Sequence, residues 1–250
     1  MYQQITADRS QNAVLMASKV VPLRAATCPR LNDLFATQIA ETLAPGEALV
    51  WQGDVAKHVF EVTSGALRTV RVLSDGRRVI TGFAFPGDLV GISFKDRHLT
   101  TAEAIAPTTV RRLTRRRFEE SVDEHPELRP QVLERLYDEM VTAQDQVVLL
   151  ARKTADERVA SFLLSLLRRA EAGHPPRSTI ALPMTRLDMA DYLGLTIETV
   201  SRVMTRLTSR GIIAAAGRHE IKVCRPAALA TLAVDDQEDM TDDDNLAWAN

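Results

Sequence analysis

The stretch 187–207, LDMADYLGLTIETVSRVMTRL, limits the fold more than any other part of the chain. It places the small residue Ala190 four positions before Gly194 and Val200 six positions after it. A small side chain at 190 lets two helices approach closely. A glycine at 194 takes the positive φ that ends the first helix, and Val200 packs the second helix back on it. Met189, Leu193, Leu195, Ile197 and Val203 are expected to complete the buried face. The spacing therefore predicts a helix-turn-helix whose second helix, 196–208, turns Thr196, Glu198, Thr199, Ser201, Arg202, Thr205 and Arg206 outward. A helix presented in this way fits the major groove of double-stranded DNA.

An acid on such a helix needs an explanation, because phosphate repels it. Glu198 and Arg202 stand four residues apart and share a face. In the major groove a carboxylate accepts from the cytosine amino group and an arginine reaches both guanine acceptors, at about 1–3 kcal/mol of discrimination for each good bidentate contact. An intrahelical ion pair is the competing reading. It contributes roughly 0.2–0.5 kcal/mol and leaves the surrounding 190/194/200 pattern unexplained. After the helix, GIIAAAGRHEIKV predicts a hairpin wing with Arg218 and His219 at its tip, where Arg218 can meet phosphate. From 177 to 233 eight basic residues face four acids, a balance that suits a polyanionic partner.

Upstream, residues 1–29 are weakly patterned and read as an arm, with a short helix expected over about 30–43. From Gly46 to Thr114 the alternating runs HVFEV, ALRTVRVL and RVITGFAF lie between PGE, SG, SDG and PGD turns, which predicts hairpins of an antiparallel β-roll within a unit spanning 30–129. A helix over 130–152 carries Leu133, Leu136, Met140, Ala143, Val147 and Leu150 in a 3-4-3-4-3 seam, the pattern of a parallel two-stranded coiled coil. The competing reading packs this helix on its own barrel. Thr154 with Glu157, and Thr185 with Asp188, have capping-box spacing, so a hinge is expected at Lys153–Thr154. The fold class is α+β: an N-terminal antiparallel β-roll, a long dimerisation helix, and a C-terminal winged helix-turn-helix over 153–233.

The net charge of −2 hides a division, since seven acids between 235 and 244 contribute −7 and leave +5 on the remainder. The tail 234–250 is too charged to fold alone, and is read as a shield for the basic domain or as a degradation signal. Cys28 and Cys224 are too few for a disulfide framework or a four-thiolate cluster, and the five histidines lack paired ligand spacing, so no metal and no cofactor are expected. Cys224 reads as a small buried hydrophobe, with a redox switch as the alternative. No apolar run is long enough to span a bilayer, and a cytoplasmic, non-enzymatic protein is expected. A cupin-like metalloenzyme, the rival of another class, would need His and carboxylate ligands clustered on the barrel, where only His58 and His98 lie.

The β-roll, the dimer helix, RKTADERVASFLL and LPMTRLDMADYLGLTIETVSRVMTRL together resemble the Crp/Fnr superfamily of bacterial transcription regulators over about 43–232. GLTIETVSR is similar to the FixK/Fnr branch, whose Glu-x-x-Ser-Arg motif falls on Glu198, Ser201 and Arg202. The resemblance implies a homodimer that reads a TTGA-type palindrome and works with RNA polymerase, with Arg116 and Arg117 in RRLTRRRF as candidate polymerase contacts; a solvated face is the other reading. Members that bind cyclic AMP carry Gly-Glu and an Arg-Ser or Arg-Thr pair. The matching places here read Gly87-Asp88 and Thr100-Thr101, with Arg97 displaced. The Fnr cysteine cluster is missing as well. The implied regulator works without a bound ligand, and a relative responding to cyclic nucleotide, haem or nitric oxide is the alternative.

Overall fold

A computed structural model of the protein describes residues 30–92, 96–171 and 178–233. The arm 1–29, the tail 234–250, Cys28 and His174 lie outside the described residues. Eight strands form the first part: β1 (Ala40–Leu43), β2 (Ala48–Val50), β3 (His58–Ser64), β4 (Leu67–Val72), β5 (Arg78–Ala84), β6 (Leu89–Val90), β7 (Thr101–Ala104) and β8 (Thr108–Thr114). They pair antiparallel in two four-stranded sheets, ordered β1-β8-β3-β6 and β2-β7-β4-β5. Leu43, Val50, Phe60, Val62, Leu67, Ala102 and Val110 fill the space between them. Gly65, at the β3–β4 turn with φ +81°, is required twice over: a Cβ there would lie 2.4 Å from the Pro107 carbonyl oxygen.

The expected helix over 30–43 is not formed. Leu31–Phe35 is a single 3-10 turn, and 40–43 is strand β1, paired with β8. Leu31 and Phe35 are buried with Val59, Leu113, Phe118 and Leu128, so this turn packs beside β3, and the segment Ala36-Thr37-Gln38 then leads to the sheet. The run RRLTRRRF is divided between two elements. Residues 111–114 finish β8, but 115–118 open helix α1 (Arg115–Glu124), whose N-cap Thr114 accepts from the Arg117 amide. Phe118 and Val122, four apart, seat α1 on the cluster beside β3.

Helix α2 (Arg129–Arg152) follows a short turn and ends at Lys153. Helix α3 (Ala155–Glu171) starts at the expected capping box, with the Thr154 amide donating to Glu157 Oε2 at 2.7 Å. Strand β9 (Thr179–Ala181), helices α4 (Arg186–Leu193) and α5 (Ile197–Ser209), strands β10 (Ile213–Gly217) and β11 (Glu220–Val223) and helix α6 (Pro226–Ala233) complete the C-terminal part. Its small sheet runs β10-β11-β9, with Arg218 and His219 in the exposed turn between β10 and β11. Val159, Leu163, Met189, Leu193, Val200, Val203, Leu207 and Leu229 lie at its centre.

The two parts share an interface. Phe83 of β5 meets Phe162 of α3 and Tyr192 of α4 with ring centroids 5.9 and 5.4 Å apart. Arg68 of β4 binds Asp188 of α4 and, at 2.7 Å, Glu103 of β7, which also holds Arg78. Burial opposes the Arg68 charge, but hydrogen bonds to Glu103 and Asp188 outweigh it and raise its pKa. Arg169 of α3 adds an ion pair to Asp88 at 2.6 Å and lies over the Phe85 ring.

Candidate nucleic-acid interface

Helix α4 begins at Thr185, whose hydroxyl accepts from the Asp188 amide while Asp188 Oδ2 accepts from the Thr185 amide at 2.9 Å. It ends at Gly194, with φ +62° and ψ +40°. Gly194 has a second constraint: a Cβ would sit 3.1 Å from Leu150 Cδ2 and 3.4 Å from Arg158 Nη1. The Arg158 guanidinium closes the two helix ends that meet here. It donates to the carbonyls of Leu150 and Leu193, both at 2.9 Å, and of Lys153 at 3.0 Å. Gln146 of α2 donates to the Tyr192 carbonyl at 2.7 Å, so the long helix is fastened directly to the turn that aims α5.

Helix α5 starts at Thr196, whose hydroxyl accepts from the Thr199 amide at 3.2 Å. Val200, Val203, Met204 and Leu207 are buried. Met189, Ala190 and Leu193 pack from α4, and Leu195 is half-buried against them. Ile197 differs from expectation. It is 40% exposed, in the first turn of α5. Thr196, Glu198, Ser201, Arg202, Thr205 and Arg206 are exposed and Thr199 is half-buried, so the structure gathers the expected residues on one outer surface. Ser201, Arg202, Thr205 and Arg206 line an open depression of about 350 Å³.

Glu198 and Arg202 share this surface, and among the described residues no ion pair joins them. The amide of Glu198 itself and the Thr196 hydroxyl hold the Glu198 carboxyl below its ordinary pKa, with a further contribution from Arg202. A carboxylate therefore faces outward as an acceptor beside a guanidinium with donors to spare. Arg206 is different, since the Asp156 carboxylate of α3 binds it at 2.6 and 2.7 Å. Sequence reading missed this partner, which lies 50 residues away. Arg218 is exposed at the wing tip. Cys224 is also exposed, contrary to the burial expected, because Ile221 and Val223 take the inward positions of β11.

The seam on α2 is mostly uncovered. Leu133 is 66% exposed, Met140 50%, Val147 66% and Leu150 42%, Ala143 is exposed and Leu136 half-buried. Tyr137 and Val148 widen the strip, and only the ends of α2, at Val132 and Leu149, pack into the cores. Arg116 and Arg117 are exposed on α1, where Arg116 pairs with Glu120 at 2.7 Å.

In the roll, the places matching the cyclic-nucleotide motif are committed to the protein's own structure. Asp88 accepts from the Phe85 amide and pairs with Arg169, buried Thr101 accepts from the Gln52 amide at 3.0 Å, and Arg97 donates to the Gly53 carbonyl at 2.6 Å. These residues do not fit a cyclic phosphate, which needs a free cation aimed inward. Among the described residues no three His, Cys, Asp or Glu side chains are grouped as metal ligands, and no helix is long and apolar enough to cross a membrane.

Residues 157–232 match the family model described as the Crp-like helix-turn-helix domain, and 40–125 match the cyclic nucleotide-binding domain. The nitrogen fixation regulation protein FixK of Bradyrhizobium diazoefficiens is 43% identical over 169 residues, 68% of this chain and 71% of that protein. The transcriptional activator protein FnrA of Stutzerimonas stutzeri is 40% identical over 76% of this chain and 79% of its own length. The solved structure of FixK2 from Bradyrhizobium japonicum superposes with a TM-score of 0.72 at 36% identity, covering 78% of this chain and 96% of that one.

Proposed function

Since the chain belongs to the Crp/Fnr family, in its FixK/Fnr-like branch, and is a DNA-binding transcription regulator rather than an enzyme, we propose that it acts as a cytoplasmic homodimer reading a TTGA-type palindrome without bound cyclic nucleotide. The observation that carries this reading is the outward pair Glu198 and Arg202 with Ser201 between them, exposed on the helix that the Gly194 turn aims. The single G·C pair of each TTGA half-site offers guanine acceptors to Arg202 and the cytosine amino group to Glu198, so one base pair satisfies both residues. Thr196, Thr199, Thr205 and Arg206 would serve neighbouring bases and phosphates, with Arg218 of the wing on the backbone.

The exposed α2 strip supports the dimer. A second copy would bury the exposed half or so of Leu133, Met140, Val147 and Leu150, each contributing about 1 kcal/mol, roughly half of what complete burial of such a side chain gives. Two recognition helices would then enter grooves about 34 Å apart, one helical turn. Exposed Arg116 and Arg117 are proposed contacts for RNA polymerase. Asp88, Thr101 and Arg97, already engaged within the protein, support ligand independence. Selection of bound sequences from random DNA with the purified protein tests the proposal. Inverted TTGA half-sites one turn apart are expected, and enrichment of no inverted repeat would refute it.

A further inference from the structure

We propose that Asp156 is a positioning residue for DNA recognition, holding Arg206 so that its outer edge grips a backbone phosphate beside the half-site and fixes the pitch of α5 in the groove. The inference rests on the DNA-reading role given to α5 above. Asp156 lies in the first turn of α3, and its carboxylate takes the inner side of the Arg206 guanidinium: Nε at 3.1 Å, and Nη2 at 2.7 and 2.6 Å from the two oxygens. A guanidinium has five N–H donors in a planar fork, and the three bonds to Asp156 engage Nε and Nη2, so the two Nη1 donors remain for another acceptor. Those Nη1 donors are charge-assisted, and a phosphate oxygen is a fitting acceptor for them.

Arg206 lies one turn beyond Arg202 on the same face, and both line the open depression with Ser201 and Thr205. Bases are reached from the N-terminal part of a recognition helix, which places a residue one turn later at the wall of the groove, where the phosphates run. An arginine there without Asp156 would search many rotamers and accept phosphate from several poses. Clamped, it offers one pose, and the ordering cost is met before DNA arrives. A carboxylate so close to phosphate weakens general attraction, so the arrangement gives up non-specific affinity in return for register.

Asp156 also belongs to the same short segment that closes the other helix ends. Thr154 and Glu157 cap α3, and Arg158 closes α2 and α4. Through Asp156 this segment, which follows the long helix directly, holds α5 as well. The orientation of the recognition helix is thereby tied to the helix proposed to pair the two copies.

The test measures dissociation constants for the TTGA palindrome and for a scrambled duplex of the same composition, at several salt concentrations. It uses the full-length protein and the variants Asp156→Ala, Asp156→Asn, Arg206→Ala and Asp156→Ala/Arg206→Ala. For Asp156→Ala and Asp156→Asn the ratio of scrambled to palindrome constants is expected to fall about tenfold, with scrambled-site affinity unchanged or higher. In the Arg206→Ala background, loss of Asp156 is expected to change the ratio no further. A ratio that stays at the wild-type value, an equal loss on both duplexes, or a full effect without Arg206 would each overturn the inference. A wild-type protein that does not prefer the palindrome would sink the DNA-reading proposal and this inference with it. Wild-type preference with unaffected Asp156 variants would remove this inference alone.

Discussion

Replacing Gly194 with alanine tests the turn on which recognition depends. At φ +62° a residue with a Cβ pays about 1–2 kcal/mol for the left-handed conformation. The added methyl also meets Leu150 Cδ2 at 3.1 Å and Arg158 Nη1 at 3.4 Å. The leucine end can give way, but the guanidinium is pinned by carbonyls of both helix ends and yields less easily. Reduced freedom of the unfolded chain returns about 0.4–1 kcal/mol. The net expectation for Gly194→Ala is a loss of about 2 kcal/mol, close to a thirtyfold shift in the folding equilibrium of the C-terminal part. Urea unfolding followed by circular dichroism reads this as a midpoint lowered by about 1 M, for a slope near 2 kcal/mol per molar. Gly194→Asn, whose side chain tolerates this conformation better, should lose less. A Gly194→Ala midpoint equal to that of the wild type would refute the reasoning from backbone and contact alike.

Two further outcomes follow from the packing. The double substitution Leu133→Glu/Val147→Glu, on the exposed strip of α2, should leave the fold intact and convert a dimer to a monomer in sedimentation equilibrium at micromolar concentration, because four carboxylates would then face one another across the seam. The Arg68–Glu103–Asp188 cluster gives a pH dependence. Burial raises the Glu103 pKa, but hydrogen bonds from Arg68 and Arg78 outweigh this and hold it below its ordinary 4.5. Since the unfolded chain binds this proton more readily, the stabilisation is present above pH 4.5 and is lost as pH falls through the lowered value. Urea midpoints from pH 6 down to pH 3.5 should therefore fall less steeply in Glu103→Gln than in the wild type.

The parts of the molecule legible in sequence were those where one short segment holds its own constraints. Ala190, Gly194 and Val200 specify the helix-turn-helix from spacing alone, and the capping boxes at Thr154 and Thr185 stand where their spacing puts them. The region 30–43 misled because Leu31 and Phe35 share helical spacing, while the β8 edge that claims 40–43 lies some 70 residues further along the chain. Helix α1 was hidden by its arginines, although Thr114 followed by Phe118 and Val122 was a usable start signal. Helix α6, opened by Pro226 and closed on α3 by Leu229, was equally readable from its proline and was missed. Hydrophobicity alone puts Ile197 in the core, whereas it stands 40% exposed at the start of α5. Contacts such as Phe83 with Tyr192, Arg68 with Asp188 and Arg206 with Asp156 join distant segments, and no local pattern announces them.

The central claim is that Arg202 reads a base rather than a phosphate. Titrating the wild type and Arg202→Ala against the TTGA palindrome and a scrambled duplex tests it directly. The account predicts a loss of about 1–3 kcal/mol on the palindrome with much smaller change on the scrambled site. Equal losses on the two duplexes would contradict it and leave Arg202 as a clamp on the DNA backbone.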